Sequence, residues 1–241
     1  MLNKRLVSLR KVKNFSETDK SDFPLSKIDL KYPPELAVFQ NLFWQLQHET
    51  APSDDLLKIL FLFSPKVRLT DNELDEKTEF SISAREYSEL TGIKIESAYS
   101  ALNKVVESLY QHSVIFFHTE KQRSIRTRLI STCSYSNGCF YVSFTHFALY
   151  VMSVFNKENP FTKFTLKSAV SMNGHGLKLY PFLIQNAFRQ NFDVSIEDLK
   201  RALRLSENSY LEYRDFKKTI LKPHLDLINE KTELSVQFSA V

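Results

Sequence analysis

Two segments of the chain carry hydroxyl, amide and cationic side chains at the spacing of one helix face. The first set is Lys94, Ser97, Ser100 and Lys104, and the second is Asn208, Tyr210, Arg214, Lys217, Lys218 and Lys222. Cations along a helix can neutralise successive phosphates, while hydroxyl and amide groups can hydrogen-bond to base edges. These residue types therefore predict binding to a nucleic-acid duplex, and a solvated polar face is the alternative for either helix alone.

A third cationic group lies between the two segments. It consists of Lys121, Arg123, Arg126 and Arg128 on a predicted hairpin, with one acid, Glu120, beside it. Because side chains alternate along a strand, residues 126 and 128 share a face, and a polyanion would relieve the repulsion between them. A basic edge strand that only deters aggregation is the alternative.

The elements that would position the first set begin at residue 80. Residues 80–83 predict a strand, and Ser83 followed by Glu86 predicts a capped helix that ends at Gly92. A second helix is predicted from Ile95 to Tyr110, with Tyr99 on its apolar side. Helix, glycine-bearing turn and amphipathic helix predict a helix-turn-helix. Strands predicted at 114–118, 125–134 and 139–144 would then form its wing.

The same order of elements recurs roughly 110 residues later. A linker is predicted at 153–163. Beyond it we expect an extended segment at 161–166, helical residues at 167–190 and a short strand at 192–195. Two helices at 196–203 and 210–230 and a strand at 234–238 should follow. The repetition predicts an α+β protein with two tandem winged-helix domains, each a helix-turn-helix plus a β-hairpin wing.

The predicted domain division follows from this order. Residues 1–31 are expected to be a basic N-terminal arm, 32–155 the first winged-helix domain, and 156–241 the second. Within the first domain, helices are predicted at 33–46 and 56–63, followed by a solvated acidic loop at 64–79.

Composition excludes several classes of protein. The chain has 241 residues and a net charge of +4. It has only four glycines, and their positions match neither the phosphate-binding loop motif nor the dinucleotide-binding loop motif. No histidine lies in an H-E-x-x-H motif. We therefore expect no cofactor, no metal and no enzymatic activity. The most apolar stretch, 141–155, is too short and polar for a bilayer span, so no membrane partner is expected.

The two cysteines flank a predicted turn at Asn137 and Gly138. That turn would place Cys139 opposite Ser136 rather than opposite Cys133. Two reduced thiols indicate a cytoplasmic protein.

Several motifs resemble the Rep proteins, the replication initiators of theta-replicating, iteron-bearing plasmids. In the first half they are FSIS at 80–83, Tyr87, LTG at 90–92, AYSALNK at 98–104 and Leu109. In the second half they are FTKFTLK at 161–167, Leu179 with Tyr180, IEDLK at 196–200, YRDFKKTILKP at 213–223 and INEKT at 228–232. The resemblance covers residues 56–238.

The resemblance implies a protein whose monomer binds direct repeats in double-stranded origin DNA. It further implies opening of adjacent AT-rich DNA and recruitment of host initiator and helicase-loading proteins, with a homodimer in equilibrium with the monomer. Lys217 and Lys218 inherit a DNA-contact role with Arg214 beside them, and Lys94 and Lys104 match more loosely. Relatives continue into a basic hairpin beyond the INEKT segment, so a shortened second wing is expected here.

Two other functions use the same fold. A winged-helix transcriptional repressor, including autorepression by the dimer, would share the DNA-binding residues. A protein-docking module would not require them, because fold alone does not determine function.

Overall fold

The computed structural model describes residues 23–25, 32–70, 73–118, 122–189 and 191–239. Lys121 and nearly all of the predicted arm lie outside these ranges. The strands are β1 Leu36–Gln40, β2 Gln47–His48, β3 Glu79–Ser83, β4 Ser113–His118, β5 Arg123–Arg128, β6 Ile130–Ser136, β7 Cys139–Phe144 and β8 Phe161–Thr165. The helices are α1 Leu42–Gln45, α2 Asp54–Arg68, α3 Ala84–Thr91, α4 Ile95–Gln111, α5 His146–Ser153, α6 Leu166–Ser171, α7 Gly176–Asn186, α8 Ile196–Ala202 and α9 Tyr213–Phe216, which continues through a π-helical turn, Lys217–Leu221, into α10 Lys222–Lys231.

In the described residues, the strands form three antiparallel sheets. Their strand orders are β1-β8, β2-β4-β5 and β3-β7-β6. The β3-β7-β6 sheet packs with α2, α3 and α4 to form the first winged helix. The predicted α+β class with a helix-turn-helix and a hairpin is therefore confirmed for the first half.

The predicted helix at 33–46 is wrong, because β1 occupies its centre. Ala37, Val38 and Phe39 are completely buried, so both faces of this strand lack the polar positions that would reveal a period of two. The strand pairs with β8, where Leu36 lies opposite Thr165. The Ser64 hydroxyl accepts from the Val38 N–H and donates to the Val38 carbonyl, both at 2.9 Å.

The helix α2 is longer than predicted. The Ser53 hydroxyl caps its start by accepting from the Leu56 N–H at 3.1 Å, and the helix continues through Pro65 to Arg68. The predicted loop at 64–79 is therefore wrong over its first five positions. The buried Arg68 guanidinium donates to the carbonyls of Tyr32, Pro33 and Leu36, which fastens the chain before β1 to this helix.

The first helix-turn-helix has the predicted caps. The Ser83 hydroxyl accepts from the Glu86 N–H at 3.1 Å, whereas the Glu86 carboxylate pairs with Lys66 at 2.7 Å instead of closing a capping box. Gly92 ends α3 with φ of +76°. Helix α4 buries Ala98, Leu102, Val105, Val106 and Leu109. Tyr99, predicted on that side, is 48% exposed.

The predicted strand at 125–134 is two strands in different sheets. It divides at Leu129: β5 pairs with β4, and β6 pairs with β7. The buried Leu129 and the carbonyl of Arg128 are held by the helix cap at Thr145, whose hydroxyl donates to Arg128 O at 2.8 Å. A segment-by-segment pattern does not encode the choice of partner strand, so this division was not predicted.

The predicted linker at 153–163 is an ordered connection. Helix α5 ends at Ser153 and β8 begins at Phe161, so only residues 154–160 form a turn. The Asn156 side chain accepts from the N–H groups of Glu158 and Asn159 at 3.0 and 2.8 Å. The Gln40 amide donates to the Val154 carbonyl at 2.7 Å. These contacts fix the path of the chain between α5 and β8.

The second half departs from its predicted strands and helix start. Among the described residues, 192–195 and 234–238 belong to no sheet. The Asn229 side chain bonds both the N–H and the carbonyl of Val236, at 2.7 and 2.9 Å. The second helix begins at Tyr213 rather than at residue 210, since Tyr210 has φ of +53°.

A single apolar core runs through both halves. Phe39 and Phe61 pack around Phe164, whose ring lies 5.9 Å from that of Tyr180 on α7. Burial of such rings is the main favourable term in folding.

None of the helices described is long and apolar enough to cross a membrane.

Candidate nucleic-acid interface

The second helix-turn-helix begins at a capped helix. The Ser195 hydroxyl accepts from the Asp198 N–H at 3.0 Å, and α8 runs to Ala202. The chain then turns through Arg204, with φ of +57°, before entering α9. This turn sets the angle at which the following helix meets a partner.

The second helix of this motif consists of α9, the π-helical turn and α10, and four cations lie along its exposed side. Arg214, Lys217, Lys218 and Lys222 are exposed, while Phe216, Ile220, Leu221, Leu225 and Ile228 are buried against the core. Arg214 exposes 88% of its side chain and Lys222 exposes 64%. The burial of the apolar side forces the cations outward, where successive phosphates of a duplex could reach them.

Local contacts orient some of these cations. Lys217 lies 5.4 Å from the centre of the Phe238 ring, and Lys222 pairs with Asp226 at 2.8 Å. The backbone around Lys217 and Lys218 is a π-helical turn, a geometry often found at functional sites.

Asn208 and Tyr210 precede the helix instead of lying on it. Asn208 is exposed in the turn, whereas Tyr210 is half-buried, with its ring 6.2 Å from that of Phe216. They stand at the N-terminal end of the helix, where base contacts commonly occur.

The first set lies on α4. Ser97, Ser100 and Lys104 are exposed and line a groove of about 550 Å³ together with Ser53 and Asp55 of the neighbouring α2 end. Lys94 is exposed immediately before the helix. The structure thus places Ser97, Ser100 and Lys104 on one side of α4, next to Asp55, an acidic residue that the sequence analysis did not assign to the site.

The cations of the predicted basic hairpin belong to a different sheet from the one that packs against α4. Arg123, Arg126 and Arg128 are on β5, which pairs with β4 in the β2-β4-β5 sheet rather than in the sheet of the first winged helix. Arg126 pairs with Glu49, and the Arg128 guanidinium lies 5.2 Å from the Tyr110 ring. The wing that follows α4 in the fold is instead the β6–β7 hairpin.

That wing has the predicted turn. Asn137 and Gly138 both have positive φ, at 51° and 78°, and Ser136 lies opposite Cys139 as the sequence predicts. Cys133 and Cys139 are free thiols. Tyr99 and Tyr135 lie exposed beside this turn, and the sequence did not indicate them as candidate site residues. An aromatic residue next to an apolar stripe is instead typical of the core.

A partly buried cluster of basic groups brings together residues from both halves of the chain. His48 Nδ1 and His112 Nε2 are 2.6 Å apart, so one ring donates to the other. Burial, with Arg204, His112 and Lys178 nearby, lowers the pKa of His48 to about 2. Burial also lowers the pKa of Arg204 to about 10. Neutral histidines are thus built into this contact.

Among the residues that the structure describes, no three His, Cys, Asp or Glu side chains are grouped so that they could hold a metal ion.

Tandem helix-turn-helices, a hairpin wing and a helix bearing four exposed cations define a winged-helix DNA-binding protein. Residues 44–184 match the family model described as Initiator Replication protein, WH1, and residues 195–241 match Initiator Rep protein, WH2. The chain belongs to this family of replication initiators, and the predicted tandem winged-helix architecture is confirmed.

Two solved structures are similar to the chain. The Pi initiator protein, solved in complex with iteron DNA, has 19% identity and a TM-score of 0.62, over 88% of this chain and 90% of that one. The WH1 domain of the replication protein MSBI1.176, isolated from a multiple sclerosis patient, has 17% identity and a TM-score of 0.31, over 38% and 70%. The first of these shares the overall fold.

Proposed function

We propose that this initiator binds direct repeats, or iterons, in double-stranded DNA at a plasmid origin. The observation that carries the proposal is the row of exposed cations Arg214, Lys217, Lys218 and Lys222 on the second helix of a helix-turn-helix. Family membership adds support, and so does the similar fold of the Pi initiator protein, which was solved with iteron DNA.

In this proposal, the continuous helix formed by α9, the π-helical turn and α10 lies in the major groove. Its lysines and Arg214 neutralise phosphates on either side, while Asn208 and Tyr210 at its start approach base edges. Helix α4 of the first helix-turn-helix enters another groove and places Ser97 and Ser100 there. The cations of β5, with Lys121, are proposed to meet the backbone beyond the first helix.

The two reading units are proposed to be residues 32–155 and 156–241, preceded by the arm at 1–31. The β1–β8 pairing crosses that division, because β1 lies in the first unit and β8 in the second. A bound monomer would therefore present both helices in one fixed relation.

Bound at the repeats, the initiator would open neighbouring AT-rich DNA and recruit host initiator and helicase-loading proteins. It would act by binding in the cytoplasm, without a cofactor or a chemical step of its own. A homodimer in equilibrium with the monomer would repress the initiator gene. These steps follow from family membership and extend beyond the DNA contact itself.

A footprinting titration tests the DNA contact. The purified chain should protect direct repeats from the DNA flanking its gene and should not protect a scrambled duplex. If about six to ten phosphates are neutralised, affinity should fall roughly 10³- to 10⁵-fold between about 50 and 200 mM salt. Equal protection of both duplexes, or an affinity independent of salt, would contradict the proposal.

A further inference from the structure

Basic side chains from both halves of the chain meet in one partly buried cluster. His48 on β2 and His112, which follows α4, are joined by the 2.6 Å contact between Nδ1 and Nε2. Lys178 on α7 and Arg204, in the turn after α8, come from the second half, and the charges of both act on His48. Arg204 also acts on His112 and on Lys178. We call these four residues the basic cluster.

The basic cluster lacks a matching negative charge. Among the residues that the structure describes, neither Arg204 nor Lys178 forms an ion pair with a carboxylate. The charge of Asp54 reaches Lys178, but its Oδ2 already accepts from the Gly174 N–H. Burial, with Arg204 nearby, lowers the pKa of Lys178. Because a cation taken from water without a partner costs free energy, an anion placed here would stabilise the contact.

Two nitrogen atoms of the basic cluster are buried without an acceptor. Arg204 Nη1 has no hydrogen-bond partner among the described residues, and neither has His48 Nε2. When the His112 Nε2–H donates to His48 Nδ1, the proton of neutral His48 lies on Nε2 and makes that atom a donor. The guanidinium, the imidazole and the Lys178 ammonium are therefore three donor groups that could share the oxygens of one ligand.

The backbone at Arg204 is itself unusual. Its φ of +57° lies in the left-handed region, which a long side chain with a Cβ seldom adopts. The turn is nevertheless held, because the Leu205 N–H donates to the Lys200 carbonyl at 2.8 Å and Leu203 is completely buried. Such conformations are concentrated at ligand-binding sites, since the surrounding structure must maintain them. Here the turn keeps Arg204 at the contact between the halves of the chain.

We propose that Arg204, Lys178 and His48 bind a small phosphate dianion, the group carried by free phosphate and by phosphate monoesters. The inference goes beyond DNA binding, because it assigns a second ligand to the protein. The double negative charge matches the two cations. A guanidinium pairs two phosphate oxygens side by side, an ammonium adds a compact charge at a third, and the His48 N–H donates to the same group. A phosphodiester of the DNA backbone carries only one negative charge, so it matches the cluster less well.

Isothermal titration of the full-length chain with inorganic phosphate, in chloride buffer of constant ionic strength, tests the site. We expect one saturable site from which sulfate, also a tetrahedral dianion, displaces phosphate and chloride does not. Glycerol phosphate should bind there too; binding tighter than that of inorganic phosphate would identify the ligand as a monoester, and equal or weaker binding would identify it as free phosphate. The midpoint of thermal unfolding should rise with phosphate concentration, because the ligand binds only the folded chain.

Two variants remove the cations one at a time. Arg204→Gln and Lys178→Met should each lower the affinity for phosphate at least about tenfold, because each removes a charge-assisted hydrogen bond. Their unfolding midpoints should no longer respond to phosphate. Lys178→Met keeps most of the apolar stem of the side chain, so it gives the comparison even where Arg204→Gln lowers stability. The matched control is Arg201→Gln, which removes an exposed arginine paired with Asp198 on α8 and should bind phosphate like the unmodified chain.

Three results would overturn the inference. The first is the absence of a saturable phosphate site in the unmodified chain. The second is an equal loss of affinity in the Arg201 and Arg204 variants, because that loss would reflect the net charge of the surface and not the basic cluster. The third is displacement of phosphate by a short duplex of the direct repeats, which would assign the site to the DNA backbone.

Discussion

At the scale of single residues, Lys217 and Lys218 are the most direct test of the DNA-contact face. Replacing both with Ala should weaken binding to all duplexes, specific and nonspecific, because phosphate contacts position the protein without reading sequence. The slope of log affinity against log salt should become less steep by about two. Fluorescence anisotropy over a salt series measures both quantities.

The control for this variant is Lys77→Ala/Lys157→Ala, which removes two exposed lysines from loops outside the proposed interface. It should change the slope little. An equal change in both double variants would mean that the second helix holds no special place in DNA binding.

Ser97 and Ser100 are expected to act differently. Replacing either with Ala should alter the preference among bases in one half of the site, because a hydroxyl placed in the major groove can bond to base edges. Selection from a randomised duplex library measures that preference. An unchanged consensus sequence would remove these two residues from base recognition.

At the scale of elements, the turn of the first helix-turn-helix depends on Gly92. Its φ of +76° is unfavourable for residues with a Cβ, although a Cβ there would meet nothing within 4 Å. Gly92→Ala should lower the free energy of unfolding by about 1 kcal/mol, and Gly92→Asn by less, since asparagine tolerates this conformation better. Urea denaturation measures both. An Asn variant less stable than the Ala variant would show that conformation is not the cause.

At the scale of the whole molecule, the buried histidine pair links stability to pH. The pKa of His48 is about 2 in the folded chain, against 6.5 for an unperturbed histidine. The unfolded chain therefore binds the extra proton first as pH falls. Stability should be complete above pH 6.5 and should decline below it, by at most about 1.4 kcal/mol per pH unit for this group.

Urea denaturation between pH 7 and pH 5 checks this expectation. His48→Gln should reduce the decline, because it removes the group that takes up a proton only in the unfolded chain. A stability that is constant over this range would mean that the pair is charged or solvated in the folded state.

Other contacts between the two halves of the chain bear on how the molecule binds DNA. Lys58 on α2 donates to Asn173 at 2.7 Å and the β1–β8 pairing joins the two halves, so we expect both recognition helices to bind as one rigid unit. Their centres should lie about one helical turn, 10–10.5 bp, apart, over a site of roughly 20 bp. Inserting five base pairs between the half-sites would put the second groove on the opposite face. Specific affinity should then be mostly lost, while nonspecific binding persists; equal footprints would contradict a rigid monomer.

The sequence by itself determined the elements whose signals are local. Ser83 and Ser195 cap helices, Gly92 and Gly138 turn the chain, and the apolar stripe of α4 has a helical period. Each of these preferences acts within a few residues, so it can be read without knowledge of the rest of the chain. The basic side of the second helix is of the same kind, because its apolar positions dictate which cations face outward.

Which distant segments meet depends on how the whole chain packs. Whether residues 36–40 form a strand depends on β8, and whether Arg126 belongs to a wing depends on β4 and β2. The burial that places Arg204 near His48 likewise involves both halves of the chain. Strand partners and buried charges are selected by the packing of the whole core, and no local pattern carries that information.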